Sequence, residues 1–160
     1  MNRPTLLIAT LLTALATQAN AADLLDNADL MDGPVNLSGE FPAEWVVSLP
    51  DGQQARIDQE GDGNRAIIEQ RGQGLLGNIV QLGSDHEAFI LQQGSDHLAI
   101  IEQQGYGNHA AIIQAGRGNQ AGIVQQGTGN DASIEQNGDQ LSSAIIQRGD
   151  GQSLHVIQGY

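Results

Sequence analysis

The chain has 160 residues, a formal charge of −13, 21 glycines, and neither lysine nor cysteine. Acidity without clustered cations excludes a nucleic-acid partner and disfavours an anionic membrane surface. The missing cysteines remove disulfide frameworks and cysteine zinc sites but leave export open, and so few aromatics (Phe41, Trp45, Phe89, Tyr106, Tyr160) argue against a conventional globular core.

Residues 1–21 read as a secretory signal peptide. Arg3 gives the positive start, Leu6 to Ala16 the apolar run, and Ala19-Asn20-Ala21 a small-x-small site, so cleavage is expected between Ala21 and Ala22. The apolar run is too short for a membrane span. Residues 22–54 form an acidic leader: Asp23, Asp26, Asp29, Asp32, Glu40, Glu44 and Asp51 meet no base, and Pro34, Pro42 and Pro50 punctuate it. Within it residues 44–49 alternate like a strand, in phase with the repeats downstream, and read as a possible capping strand over the first of them.

From Ala55 an eleven-residue unit, Ala-x-Ile-x-Gln-x-Gly-x-x-Asn-x, repeats ten times without insertion. Its glutamine column is Gln59, Gln70, Gln81, Gln92, Gln103, Gln114, Gln125, Gln136, Gln147 and Gln158. The β-branched column runs from Ile57 to Val156 and the glycine column from Gly61 to Gly149, ending on Tyr160. An eleven-residue period also suits a helical hendecad. A glycine in every unit opposes that, at about 1 kcal/mol each inside a helix, and pairs such as Ile67-Ile68 and Ile112-Ile113 favour strand.

The small residue, Ile and Gln sit at i, i+2 and i+4, on one face of a strand, and Gly-x-x-Asn supplies a turn. Each unit is therefore a short strand and a tight arc, and two units make a coil of 22 residues. The expected fold is all-β: a β-solenoid of five such coils (55–76, 77–98, 99–120, 121–142, 143–160) with two facing parallel sheets. Identical glutamines recur in the same sheet every 22 residues, so each can donate to the amide above and accept from the one below. The end rungs are left unfinished, and an unfinished rung is a template for another copy.

The asparagine column holds Asn64, Asn108, Asn119 and Asn130 and departs at Leu75, His86, His97, Leu141 and Gln152. His86 and His97 fall on opposite arcs of one coil, too far apart to share a metal, and read as turn or ladder substitutions. His109 and His155 should point outward. The outward mid-strand column mixes acids (Asp58, Glu69, Glu102, Glu135) with apolar residues (Val80, Leu91, Ile113, Val124, Ile146, Ile157), a lateral contact patch guarded by charges. No acids or histidines converge as in an enzyme, no regular threonine row marks an ice-binding face, and no nonapeptide aspartate marks a calcium roll. No cofactor or metal is expected.

The run Gln103-x-Gly105-x-x-Asn108-x-Ala110-x-x-x-Gln114, echoed from Gln59 to Gln70, Gln114 to Gln125 and Gln125 to Gln136, resembles the repeat of curlins, the subunits of bacterial curli amyloid fibres. The resemblance implies a secreted, non-enzymatic, amyloid-forming chain that assembles at the cell surface for adhesion and biofilm. It further implies the Gln and Asn columns as the assembly ladder, and self, the major curlin and the outer-membrane curli secretion and assembly proteins as partners. The stretches Leu75 to Gln81 and Ala144 to Arg148, with His155-Val156-Ile157-Gln158, are most similar to the minor curlin that nucleates the fibre. The major fibre subunit is the alternative within the family.

Overall fold

Alternation with a period of two gives each unit one wet and one dry face, and a glycine at a fixed place lets the chain turn back. The computed structural model describes residues 49–159. The chain divides between Asp32 and Gly33, and every described residue lies in the second part. The signal peptide, the Ala21–Ala22 cleavage site, residues 22–48 with nearly all of the expected capping strand, and Tyr160 lie outside the described residues.

The described residues form ten strands and no helix: β1 (Gln53–Glu60), β2 (Arg65–Gln73), β3 (Leu75–Ser84), β4 (Glu87–Ser95), β5 (Leu98–Tyr106), β6 (His109–Arg117), β7 (Gln120–Thr128), β8 (Asp131–Asp139), β9 (Ser142–Arg148) and β10 (Ser153–Gly159). Odd strands make one sheet in the order β1-β3-β5-β7-β9, and even strands the other, β10-β8-β6-β4-β2. Every pairing is parallel, with partners 22 residues apart, as in Ile57↔Ile79, Ile79↔Ile101 and Gln103↔Gln125. The fold is thus a β-solenoid of five coils with two parallel sheets, as the period predicts.

The strands are longer than the expected short strand and tight arc. They run on through the glycine column, so that Gly72 and Gly83 lie inside β2 and β3. The arcs are as regular as the strands: Gly107 N–H donates to the Ser84 carbonyl at 2.9 Å, Glu87 N–H to Asn108 at 2.9 Å and His109 N–H to Asn130 at 2.7 Å. A parallel ladder therefore continues around each bend, and the arc N–H and C=O groups that it leaves over turn to side chains, as the Asn130 N–H does to Asn108 Oδ1.

Between the sheets lie Ile79, Ile90, Ile101, Ile112, Ile123, Ile134 and Ile145, with Ala88, Ala99, Ala110, Ala121 and Ala132, all buried. The small column is small for lack of room. A Cβ at Gly77 would stand 3.0 Å from Ile68 Cγ2 and 3.3 Å from Gln70 Nε2, both on the facing sheet. The glycine column has a harder limit. Gly105 has φ +117, and a Cβ there would sit 2.1 Å from the Gly127 carbonyl oxygen of the next coil. No side chain fits so close, which explains why this column holds glycine at every described turn.

Candidate assembly site

The glutamine column becomes two continuous ladders. In the odd sheet Nε2 of Gln59, Gln81, Gln103 and Gln125 donates to Oε1 of Gln81, Gln103, Gln125 and Gln147 at 2.6, 2.8, 2.9 and 2.8 Å. In the even sheet Gln70, Gln92, Gln114 and Gln136 donate to Gln92, Gln114, Gln136 and Gln158 at 2.8, 3.0, 2.9 and 3.0 Å. Gln81, Gln92, Gln103, Gln114, Gln125, Gln136 and Gln147 are buried, and the chain of amides satisfies them.

Sequence reasoning missed the second bond that the ladder glutamines make from Gln70 to Gln158. The other N–H of each crosses to the opposite sheet and meets the carbonyl 16 residues earlier: Gln81 to Arg65 at 3.1 Å, Gln103 to Glu87 at 3.1 Å, Gln114 to Leu98 at 3.1 Å and Gln125 to His109 at 2.8 Å. One side chain therefore ties coil to coil and sheet to sheet. The vertical partner could be read from the period. The horizontal one depends on the gap between the sheets, which the period does not contain.

The asparagine column lines the two arcs. Asn108 Nδ2 donates to the Gln104 carbonyl at 3.1 Å and to Gly127 of the next coil at 3.0 Å, while its Oδ1 accepts the Asn130 N–H at 3.0 Å. Asn64, Asn119 and Asn130 make matching bonds to Gly83, Gly138 and Gly149 at 2.8, 2.9 and 2.7 Å. The column also starts one unit earlier than expected. Gln53, eleven residues before Asn64, reaches the Gly72 carbonyl at 2.9 Å in the same way.

The two histidines stand in for asparagine. His86 Nε2 is 3.2 Å from the Leu82 carbonyl, and its Nδ1 accepts the Asn108 N–H at 3.2 Å. His97 does the same with Gln93 at 3.0 Å and Asn119 N–H at 3.2 Å. These partners require the neutral ring with its proton on Nε2, because Nδ1 must accept. Burial holds the His97 imidazole below its ordinary range, and outweighs the opposite pull of the Gln93 carbonyl, Asp96, the Gly116 carbonyl and Asp139. The substitution reading of both residues thus has its geometry, on opposite arcs of the second coil.

Leu75 and Leu141 both fall on the even-to-odd arc, where they add no side-chain bond. The odd-to-even arc carries polar residues throughout: Asn64, His86, Asn108, Asn130 and Gln152. Gln152 restores the local bond, Nε2 to the Arg148 carbonyl at 2.9 Å. His109 and His155 are exposed, as expected.

The ladders have a direction. Every ladder glutamine donates toward the C-terminal coil. Among the described residues no donor reaches Oε1 of Gln59 or Gln70, and Nε2 of Gln147 and Gln158 has no next amide. The ends are open in packing too: Ile57, inward-facing in β1, is 42% exposed, and Val156 in β10 is only partly buried. One end presents acceptors and the other donors, which is the complementarity of a head-to-tail stack.

A solenoid of stacked repeats, with no further strand paired to β1/β2 or β9/β10 among the described residues, defines a structural repeat protein. Residues 72–105, 98–127 and 127–159 match the family described as Curlin associated repeat. The chain belongs to that family, and as a curlin it is a structural subunit of the extracellular curli fibre. Those matches take in β3 to β10 whole. A comparison with curated proteins finds no match.

Proposed function

We propose that this chain is the minor, nucleating curlin, which starts polymerisation of the major curlin into cell-surface amyloid fibres for adhesion and biofilm. The observation that carries this reading is the difference between its two ends. The first coil is dressed in charge: Arg56 meets Asp58 at 2.6 Å, Arg65 meets Glu87 at 3.4 Å, and Arg71 meets Glu69 at 3.9 Å. The last coil carries Ile146 and Ile157 outward instead, with Ile157 77% exposed. A chain whose ends differ in this way can take up a partner at one end and remain distinct at the other, as a nucleator must.

The proposal includes the Gln and Asn columns as the templating ladder, with Gln147 and Gln158 donating to the incoming subunit. Its partners are the major curlin and the curli secretion and assembly proteins of the outer membrane, reached after cleavage at Ala21–Ala22. The test has two arms. Sub-stoichiometric mature chain, pre-assembled, should shorten the lag of amyloid-dye binding by a major curlin. Deletion in the host should leave that subunit secreted and unpolymerised. Loss of the fibre subunit itself on deletion would instead identify the major curlin.

A further inference from the structure

The register of the solenoid fixes which charges meet inside one copy and which would meet where a second copy follows. Within the described strands no acid faces an acid and no base a base. Arg65 lies beside Glu87, His109 beside Glu87 and Asp131, and Arg117 beside Asp139, while Glu69, Glu102 and Glu135 have apolar partners. The odd-to-even arc obeys the same rule. One of its columns is Asp62, Ser84, Tyr106, Thr128 and Asp150. Backbone bonds keep that column in register: Asp85 N–H reaches the Asp62 carbonyl at 2.9 Å, Gly107 reaches Ser84 at 2.9 Å, Gly129 reaches Tyr106 at 3.0 Å and Gly151 reaches Thr128 at 2.9 Å. Its two acids stand at opposite ends, in the first coil and the last.

Head-to-tail stacking ends their separation. With Gln59 of the next copy beside Gln147, the next Asp62 follows Asp150 in the column at one strand spacing, about 4.8 Å. Both residues are exposed. The Asp150 carboxylate is held in the column, because its Oδ1 accepts the Thr128 N–H, 22 residues earlier, at 2.7 Å. Two like unit charges at that spacing repel even in water. The neighbours do not cancel them. Arg148, two residues before Asp150, falls beside Glu60 of the next copy. Arg65 pairs with Glu87 at 3.4 Å. The Asp85 carboxylate takes a hydrogen bond from the Tyr106 hydroxyl and adds a further acid above Asp62. The buried His86 ring is neutral, with Nδ1 accepting the Asn108 N–H. Asp131, whose N–H reaches the Gln152 carbonyl at 2.7 Å, adds an acid near Asp150.

We propose that the C-terminal arc selects its partner by charge: at neutral pH it favours a curlin with no acid at the place of Asp62 over a second copy of this chain, and acid removes the difference. This rests on the nucleating, head-to-tail reading above, and it supplies what a nucleating subunit requires, an end that prefers a different chain. Two facing carboxylates can share one proton. The self-stacked seam therefore binds more protons than the separated chains, and stacking of this chain on itself strengthens as pH falls.

In the test, each mature chain elongates sheared fibres of its own kind at low salt, and Asp62→Asn stands in for a partner without the acid. At about pH 7, Asp62→Asn and Asp150→Asn should each elongate about fourfold faster than native, the factor for two unit charges about 4.8 Å apart in water. The double variant should be no faster than either, since removing one carboxylate already removes the pair. Glu135→Gln, which deletes an exposed charge away from the seam, should match native. The advantage should fade towards about pH 5 and in high salt. Equal gains from Asp62→Asn and Glu135→Gln would make the effect one of net charge and overturn the proposal. Additive gains in the double variant would overturn it too. Stacking order is read separately by the double variant Asp62→Cys, Asp150→Cys, whose oxidised fibres should give a ladder of linked chains. A ladder without the charge effect overturns the selection alone, whereas no ladder overturns the stacking and the selection together.

Discussion

Replacing Gln114 by Ala should cost far more than the same change at Gln59, although both are ladder glutamines. Gln114 is fully buried. It accepts from Gln92 at 3.0 Å and donates to Gln136 at 2.9 Å and to the Leu98 carbonyl at 3.1 Å. Alanine leaves a Gln92 N–H and Gln136 Oε1 buried and unpaired, at about 1–3 kcal/mol each. A small cavity adds to that, so the expected loss is about 3–6 kcal/mol. Gln59 is exposed and makes one ladder bond, to Gln81 at 2.6 Å. Its removal at a wet edge should cost about 0.5–1.5 kcal/mol. Urea unfolding of monomer, kept dilute and cold and followed by circular dichroism, reads both. With a slope of about 1–3 kcal/mol per molar, Gln114→Ala should lower the midpoint by molar amounts and Gln59→Ala by tenths. Equal, small shifts would refute the claim that the buried ladder holds the coils together.

Three other outcomes concern the arcs and the charges, and a fourth the exposed ion pairs. Gly105→Ala should fail to give a protease-resistant fold, because its Cβ meets the Gly127 carbonyl. Gly107→Asn should fold within about 1 kcal/mol of native, since φ there is +62 with nothing within 4 Å and Asp85 and Asp96 already hold the same turn position at φ 56 and 59. Burial lowers the His97 pKa in the folded state, so the unfolded chain binds the proton first. Stability is therefore full above about pH 6.5, the unfolded-state value, and falls as pH drops below it; in His97→Asn the part of the urea midpoint's fall between pH 7.5 and 5.5 that belongs to His97 should vanish. Arg65→Ala, which breaks an exposed pair with Glu87 at 3.4 Å, should change stability by less than about 1 kcal/mol in the same urea assay.

The fold was legible because its rule is arithmetic. A column that returns every 22 residues must stack on itself, and Ile57, Ile79 and Ile101 could be placed without coordinates. The ladder partner of each glutamine came from the same number. What the period does not carry was not read. The bond from Gln103 to the Glu87 carbonyl depends on the sheet-to-sheet distance. That His86 and His97 substitute within the asparagine column was read from their place in it; which ring nitrogen takes which partner was not, because it depends on the geometry of the arc. Gln53 was left out because the repeat was counted from Ala55, though its spacing from Asn64 was there to find.

The central claim is that copies stack head to tail, with β9 of one subunit beneath β1 of the next and Gln147 donating to the next Gln59. In that stack residue 146 lies beside residue 58 of the neighbour at about 4.8 Å, within the Cα range a disulfide spans. Assembled fibres of the double variant Asp58→Cys, Ile146→Cys should, on mild oxidation, resolve into a regular ladder of disulfide-linked dimers, trimers and longer chains. Each single variant should give none. Dimers from Ile146→Cys alone would mean that C-terminal ends meet each other, and would contradict the directional ladder on which the account rests.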